Sequence, residues 1–185
     1  MHLMVRSAVI VQNMSYNLKD SLVNDYRYIS SVNKLRLTYR GLRNLVFNPG
    51  VDFTYDHVDS DVFMGFKTRL VTSASLETTY DPVKFLTANL VLRMEMTDGK
   101  TNPLIPALGV EVRPWKRINL GFSVNLARNF RNPTLNDLYW PNAGNPDLRP
   151  ETSNTGEAGI VWNHTGKPGK FVIEMSVSGY YSRIV

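Results

Sequence analysis

Residues 84–96, KFLTANLVLRMEM, decide the fold. On an extended chain Leu86, Ala88, Leu90, Leu92, Met94 and Met96 fall on one face, and Thr87, Asn89, Val91, Arg93 and Glu95 on the other. A period of two is the strand signature, because successive side chains of a pleated strand point to opposite faces. Residues 118–127 repeat it, with Ile118, Leu120, Phe122, Val124 and Leu126 against Asn119, Gly121, Ser123, Asn125 and Ala127. Residues 171–181 do so again, with Phe171, Ile173, Met175, Val177 and Tyr181 opposing Glu174, Ser176 and Ser178. Residues 34–40, 45–55, 70–80 and 153–162 follow the rule, and 3–16 and 104–113 follow it more weakly. No segment carries a convincing 3.6-residue period, so the chain is predicted to be all-β, an antiparallel meander of about nine strands.

The connections alternate in length. Gly41–Asn44, Asp81–Val83, Pro114–Trp115 and His164–Gly169 have the length and composition of hairpin turns. Residues 17–31, 56–67, 97–103 and 128–150 are predicted to be long loops. In a meander this places all tight turns at one end and all long loops at the other, the asymmetry of a bacterial outer-membrane barrel. The alternating runs are about 9–11 residues long, enough for a tilted β-strand to cross a bilayer and about twice the usual strand of a soluble sandwich. Tyr16, Tyr39, Tyr55, Tyr80, Trp115, Trp140, Trp162 and Tyr181 stand near strand ends, where an aromatic girdle belongs. The parity puts Arg36, Asn89, Arg93, Glu95, Asn119, Asn125 and Glu157 toward a wet interior.

Composition narrows the function. The chain has 185 residues, a net charge of +5 and no cysteine, which removes disulfides and thiolate chemistry. Its basic residues are dispersed in ones and twos, which argues against nucleic acid. Arg40, Arg43, Arg113, Lys116, Arg117, Lys167 and Lys170 make the short-turn end basic. No run of apolar residues is long enough for a transmembrane helix, but alternation dilutes the hydropathy of a membrane β-protein to near neutral. His2, His57 and His164 lack metal-ligand spacing. The acidic run at residues 56–61, DHVDSD, has oxygen ligands for a hard cation but no turn glycine or distal glutamate. No catalytic constellation, metal motif or cofactor motif emerges, which predicts a non-enzyme with no cofactor.

Residues 128–150, RNFRNPTLNDLYWPNAGNPDLRP, break the alternation with four prolines and several turn formers, and helix is disfavoured there. The aromatics inside it predict an ordered loop packed on something. Phe130-Arg131, Pro133, Leu138-Tyr139, Gly144-Asn145-Pro146, Leu148, Pro150-Glu151, Ser153, Glu157 and Gly159 together resemble the loop-plus-strand signature of TonB-dependent outer-membrane receptors. Asn132 departs from it, standing where a small residue is expected.

The resemblance implies a fragment of the receptor's β-barrel domain over residues 1–185, an interior slice of a plugged barrel of roughly 22 strands, with the plug domain and the remaining strands absent. It also implies residence in the outer membrane, lipid around the wall, and an extracellular ligand such as a ferric siderophore, cobalamin or glycan, imported when the TonB complex acts through the plug. Arg128, Arg131, Tyr139 and Trp140 on the long loop are the candidate ligand-binding residues. The competing expectation is a small non-transport barrel or soluble β-domain serving as an adhesin or carbohydrate-binding module.

Overall fold

The computed structural model describes residues 1–17, 23–63, 65–115, 118–165 and 171–185. The strands are β1 (His2–Asn17), β2 (Val23–Leu42), β3 (Leu45–Ser60), β4 (Gly65–Val83), β5 (Leu86–Thr97), β6 (Lys100–Thr101), β7 (Ile105–Trp115), β8 (Leu120–Arg131), β9 (Glu151–Thr165) and β10 (Val172–Ile184). A short 3-10 turn, Asp61–Phe63, and one helix, α1 (Leu135–Tyr139), complete the described elements. All strands join one antiparallel sheet in the order β1-β2-β3-β4-β5-β7-β8-β9-β10, with the two-residue β6 hanging on β5. The expected meander of long strands is present. The sheet does not close: no pairing joins β1 to β10 among the described residues.

Register carries the alternation across the whole sheet. Leu92 pairs with Leu76 and Pro106, Leu90 with Thr78 and Leu108, and Phe122 with Val112 and Ile160. The same rows on the opposite face hold Ser73 beside Glu95 and Asp52, and Asn125 beside Glu157 and Gly109. Burial is inverted relative to a water-soluble protein. Among the described residues, the screened side chains are Ser30, Asp52, Ser60, Ser73, Glu95 and Asn102, with only Val58 and Phe63 as apolar members. Leu90 is 40% and Phe122 37% exposed, so neither lies between two stacked sheets. The accessible surface is 13495 Å², whereas a compact soluble chain of this mass would expose about 9,000 Å². One layer with a greasy outer face and a polar inner face accounts for both observations.

The polar face is knit by ion pairs. Arg36 grips Asp52 with both terminal nitrogens, at 2.8 Å each, and Ser73 donates to the same carboxylate. Gly50, opposite Arg36, leaves the space that the guanidinium occupies; a Cβ there would lie 2.3 Å from Arg36 Nη1. Arg93 pairs with Glu95 at 2.9 Å, and Arg113 with Glu111. Register shifts fall between Tyr39 and Leu42, Tyr80 and Val83, and Val112 and Trp115, all at the short-turn rim. Bulges belong at rims, where water can satisfy the groups they free. The outward face of that rim carries Tyr39, Tyr80, Trp115 and Trp162, with Trp115 edge-on to Phe122 and Trp162 stacked on His164.

Several expected boundaries move. The loops expected over residues 17–31 and 56–67 are mostly strand: β2 begins at Val23, β3 runs to Ser60 and β4 starts at Gly65, while residues 18–22 lie outside the described set. Polar residues hid these extensions from the period-two reading, because both faces are wet once a strand rises above the lipid. The acidic run at 56–61 is therefore not a cation loop. Asp56 faces inward and accepts hydrogen bonds from Tyr28 and Ser30, and His57 faces outward, stacked on Phe66. Residues 97–103 form a tight turn at Asp98-Gly99 followed by β6. At the other rim β4 continues through Asp81–Val83, moving that turn to Lys84-Phe85, and β8 starts at Leu120 rather than Ile118, with Asn119 in a turn of positive φ. Of the turn expected over His164–Gly169, residues 164 and 165 are the end of β9, and residues 166–169 lie outside the described residues, as do Lys116, Arg117, Lys167 and Lys170.

Leu90 and Val91 are chain neighbours at one depth on opposite faces. Leu90→Arg is expected to cost about 2–4 kcal/mol in a bilayer, and Val91→Arg less than about 1 kcal/mol. Denaturant unfolding of the vesicle-inserted protein measures both; equal penalties would contradict the inside-out assignment.

Candidate functional site at the loop face

The strands end at different heights. Val71 of β4 pairs with Thr97 at the tip of β5, Leu70 still exchanges hydrogen bonds with Asp98 in the turn, and residues 65–69 continue past it, paired only with β3 on the other side. Five residues make a step of about 17 Å. The segment from Asn132 to Pro150 fills that step.

Its local structure contradicts the expectation that helix is disfavoured there. Leu135–Tyr139 is one turn of helix. Thr134 is its N-cap: the hydroxyl accepts from the Asp137 amide at 3.1 Å, while the Asp137 carboxylate accepts from the Thr134 amide at 2.8 Å. This reciprocal capping box satisfies two orphan amides. Pro133 and Pro141 flank the turn rather than interrupt it, so their constraints fall outside it. Beyond the helix, Gly144 donates to the Trp140 carbonyl and Asn145 to the Asp137 carbonyl. A Cβ at Gly144 would lie 2.5 Å from the Trp140 nitrogen, so only glycine fits this return.

Four contacts dock the loop. Asn132 donates to Glu95 at 3.2 Å and to Thr97 at 3.0 Å. Asn102, just after β6, donates to the same two oxygens at 3.1 and 2.8 Å. Arg69 donates to the Pro133 carbonyl at 2.8 Å, and the Lys67 ammonium sits 4.7 Å from the centre of the Tyr139 ring. Asn132, which departs from the small residue expected of the motif, is thus a tether. Asn102, Lys67 and Arg69 were not singled out from the sequence. For Lys67 and Arg69 the only signal was inward parity on a strand whose length was itself underestimated, and Asn102, off any strand, carried none.

Of the expected ligand residues, Arg131 lines a cavity of about 370 Å³ with Asn132, Pro133, Asp137, Leu148 and Arg149. Tyr139 and Trp140 stand exposed on the same loop, 37% and 42% accessible, with Tyr139 held by Lys67. Arg128 is not with them. It follows Leu126 in parity on the outward face of β8, paired with Asn154. The cavity is large enough for a small ligand, and its charged rim of Arg131, Arg149, Asp137 and Glu151 offers both donors and acceptors.

Asn132→Ala leaves Glu95 with one donor fewer in a buried setting, so a loss of about 1–3 kcal/mol is expected, seen as faster amide exchange across residues 133–150. A second expectation concerns pH. The backbone amide and the hydroxyl of Thr134 hold the Asp137 carboxyl below its ordinary range. The cap is therefore fully formed above the ordinary aspartate pKa and is lost as pH falls through the lowered value. Exchange at residues 135–139 should rise on that descent, and Asp137→Asn should abolish the dependence.

Similarity to known proteins agrees with this architecture. The model of the family described as TonB dependent receptor-like, beta-barrel, matches residues 7–184. Over 65 residues, 35% of this chain and 10% of the relative, the sequence is 40% identical to the vitamin B12 transporter BtuB of Photobacterium profundum. Over 96 residues it is 34% identical to the BtuB of Vibrio vulnificus, covering 51% of this chain and 15% of that one. The siderophore receptor PirA from Pseudomonas aeruginosa superposes with a TM-score of 0.69 at 15% identity, over 96% of this chain and 39% of its own. The copper transporter OprC does so with 0.70 at 14% identity, over 98% and 35%. The matched parts are thus well under half the length of these relatives. With nearly every residue inside the family match and the inside-out sheet that such a barrel requires, the chain belongs to the TonB-dependent receptor family, as part of an outer-membrane β-barrel.

Proposed function

We propose that these residues are a stretch of the wall of a larger plugged barrel that captures a scarce solute at its loop face and imports it with TonB-coupled energy. The observation that carries this reading is the docked loop. An import receptor needs an ordered recognition surface over a polar passage, and residues 132–150 form one, tethered by Asn132 and Lys67 over the inward face. Arg131, Tyr139 and Trp140 are the proposed ligand contacts, the arginine as donor and the aromatics as stacking surfaces. The open edges of β1 and β10 favour further strands that close the barrel, since an unpaired edge in lipid is costly. TonB would act through a plug domain outside these residues. The two sequence relatives are vitamin B12 transporters, which puts corrinoids first among candidate cargoes, and receptors for siderophores share the fold.

Binding of cyanocobalamin, ferric siderophores and oligosaccharides to the intact receptor tests the assignment. One class should bind, and Arg131→Gln combined with Tyr139→Ala should weaken it about tenfold or more. Cells without the TonB energiser should bind that solute yet fail to accumulate it. Accumulation independent of TonB, or adhesion to a surface glycan with no uptake at all, would defeat the import reading.

A further inference from the structure

The docked loop is held strongly at its root and weakly at its tip. Residues 132–150 leave the wall between β8 and β9 and cross β7 and β5 to reach β4. At the root, Asn132 donates to Glu95 and Thr97, and the Pro133 carbonyl accepts from Arg69, with Glu95 only 8% exposed. From Thr134 to Asn145 the segment is braced within itself, by the capping box and by the returns of Gly144 to Trp140 and of Asn145 to Asp137. It therefore moves as one piece. No side chain of α1 is buried. Among the described residues, the one polar contact between this braced unit and the wall is the Lys67 ammonium over the Tyr139 ring.

Lys67 has inward parity on β4, next to Arg69, and its register partner is the buried Val58. Among the described residues it forms no ion pair, whereas Arg36, Arg93 and Arg113 all do, and the ring is its partner instead. An ammonium over a ring face that water still reaches biases an equilibrium by about two- to fivefold. That is enough to set a population and too little to lock it. The contact also covers the ring. Lys67 stands on the inward side of β4, so the face of Tyr139 that it occupies is the one a solute entering the polar passage would meet.

We propose that Lys67 is an autoinhibitory latch. It holds the loop tip against β4, and a cargo that stacks on Tyr139 displaces the ammonium and frees the braced unit to swing on its root at Asn132 and Pro133. The latch rests on the reading of Tyr139 as a cargo contact and gives its neighbour the opposite sign. Tyr139 adds to affinity, and Lys67 subtracts from it, because a ring face that is occupied part of the time lowers the apparent affinity to the fraction left open.

The first arm of the test needs no cargo. The chain has no cysteine, so spin labels at N136C, on the exposed side of α1, and at T68C, on the outward face of β4, report the distance from tip to wall in the intact receptor, any cysteine elsewhere in it being replaced by serine. Wild type and K67R should give one narrow distribution, and K67M a broad one reaching longer distances. Y139L should broaden it as K67M does, and K67M/Y139L no further. In the second arm, K67M should bind cyanocobalamin about two- to fivefold more tightly than wild type, and the gain should vanish on the Y139L background. An unchanged distribution in K67M and Y139L overturns the latch. Weaker or unchanged binding by K67M overturns it too, by making Lys67 a cargo contact or a bystander. Should no form of the receptor bind cyanocobalamin, the corrinoid reading fails and the distances alone decide the latch. Should K67M fail to fold, Y139L reads the same contact from its other side.

Discussion

Hydrocarbon offers a peptide group nothing to hydrogen-bond, so a chain that crosses it must satisfy every amide and carbonyl from within. Each of the long strands except the two at the edges is paired on both sides, and the interruptions are confined to places that can bear them. Pro49, which has no amide hydrogen to give, sits where the β2–β3 ladder skips from Arg36–Gly50 to Tyr39–Phe47, near the short-turn rim. The register shifts keep to the same rim. The ladder is regular where no water can repair it and irregular where water is near.

With the backbone satisfied laterally, side chains are free to sort by medium. Outward rows of leucine, valine and phenylalanine have the environment of a core without a second layer of protein, because lipid supplies it. Inward rows meet the opposite problem, since charged groups crowd one concave face. The pairs Arg36–Asp52 and Arg93–Glu95 neutralise one another, and Gly50 gives a guanidinium room to lie flat. Such pairs add little net stability where water reaches them. Their use here is to hold the polar face in one arrangement, which the Glu95 carboxylate then presents to Asn132 and Asn102 as the anchor of the loop.

The fold class was legible because alternation is strict wherever one face meets lipid: residues 84–96 and 118–127 admit no other reading. Legibility ended where that contrast ended. Above the membrane both faces of β2, β3 and β4 are wet, so Tyr26, Arg27, Asp56 and Asp59 read as loop although the ladder runs through them. The helix was hidden by length, five residues being too few for a period to register, and its one local sign was Thr134 with Asp137 three residues on. Arg128 read as a loop residue by position, yet it lies on the lipid side by parity with Leu126, a fact that counting back through residues 118–127 would have exposed. The docking contacts of Asn132, Arg69 and Lys67 join segments 35 or more residues apart, and no local pattern encodes them.

The eight residues from Trp162 to Asn154 on the outward face of β9, about 26 Å of strand, also act as a thickness gauge. A bilayer a few ångströms deeper would pull Asn154 and the adjacent Arg128 under the acyl chains or lift the Trp162 indole out of its interface, and either mismatch costs a fraction of a kcal/mol per ångström. The outer membrane is thinner than most, so the wall is sized for the one cellular membrane in which it has to work and would sit under tension in any thicker one.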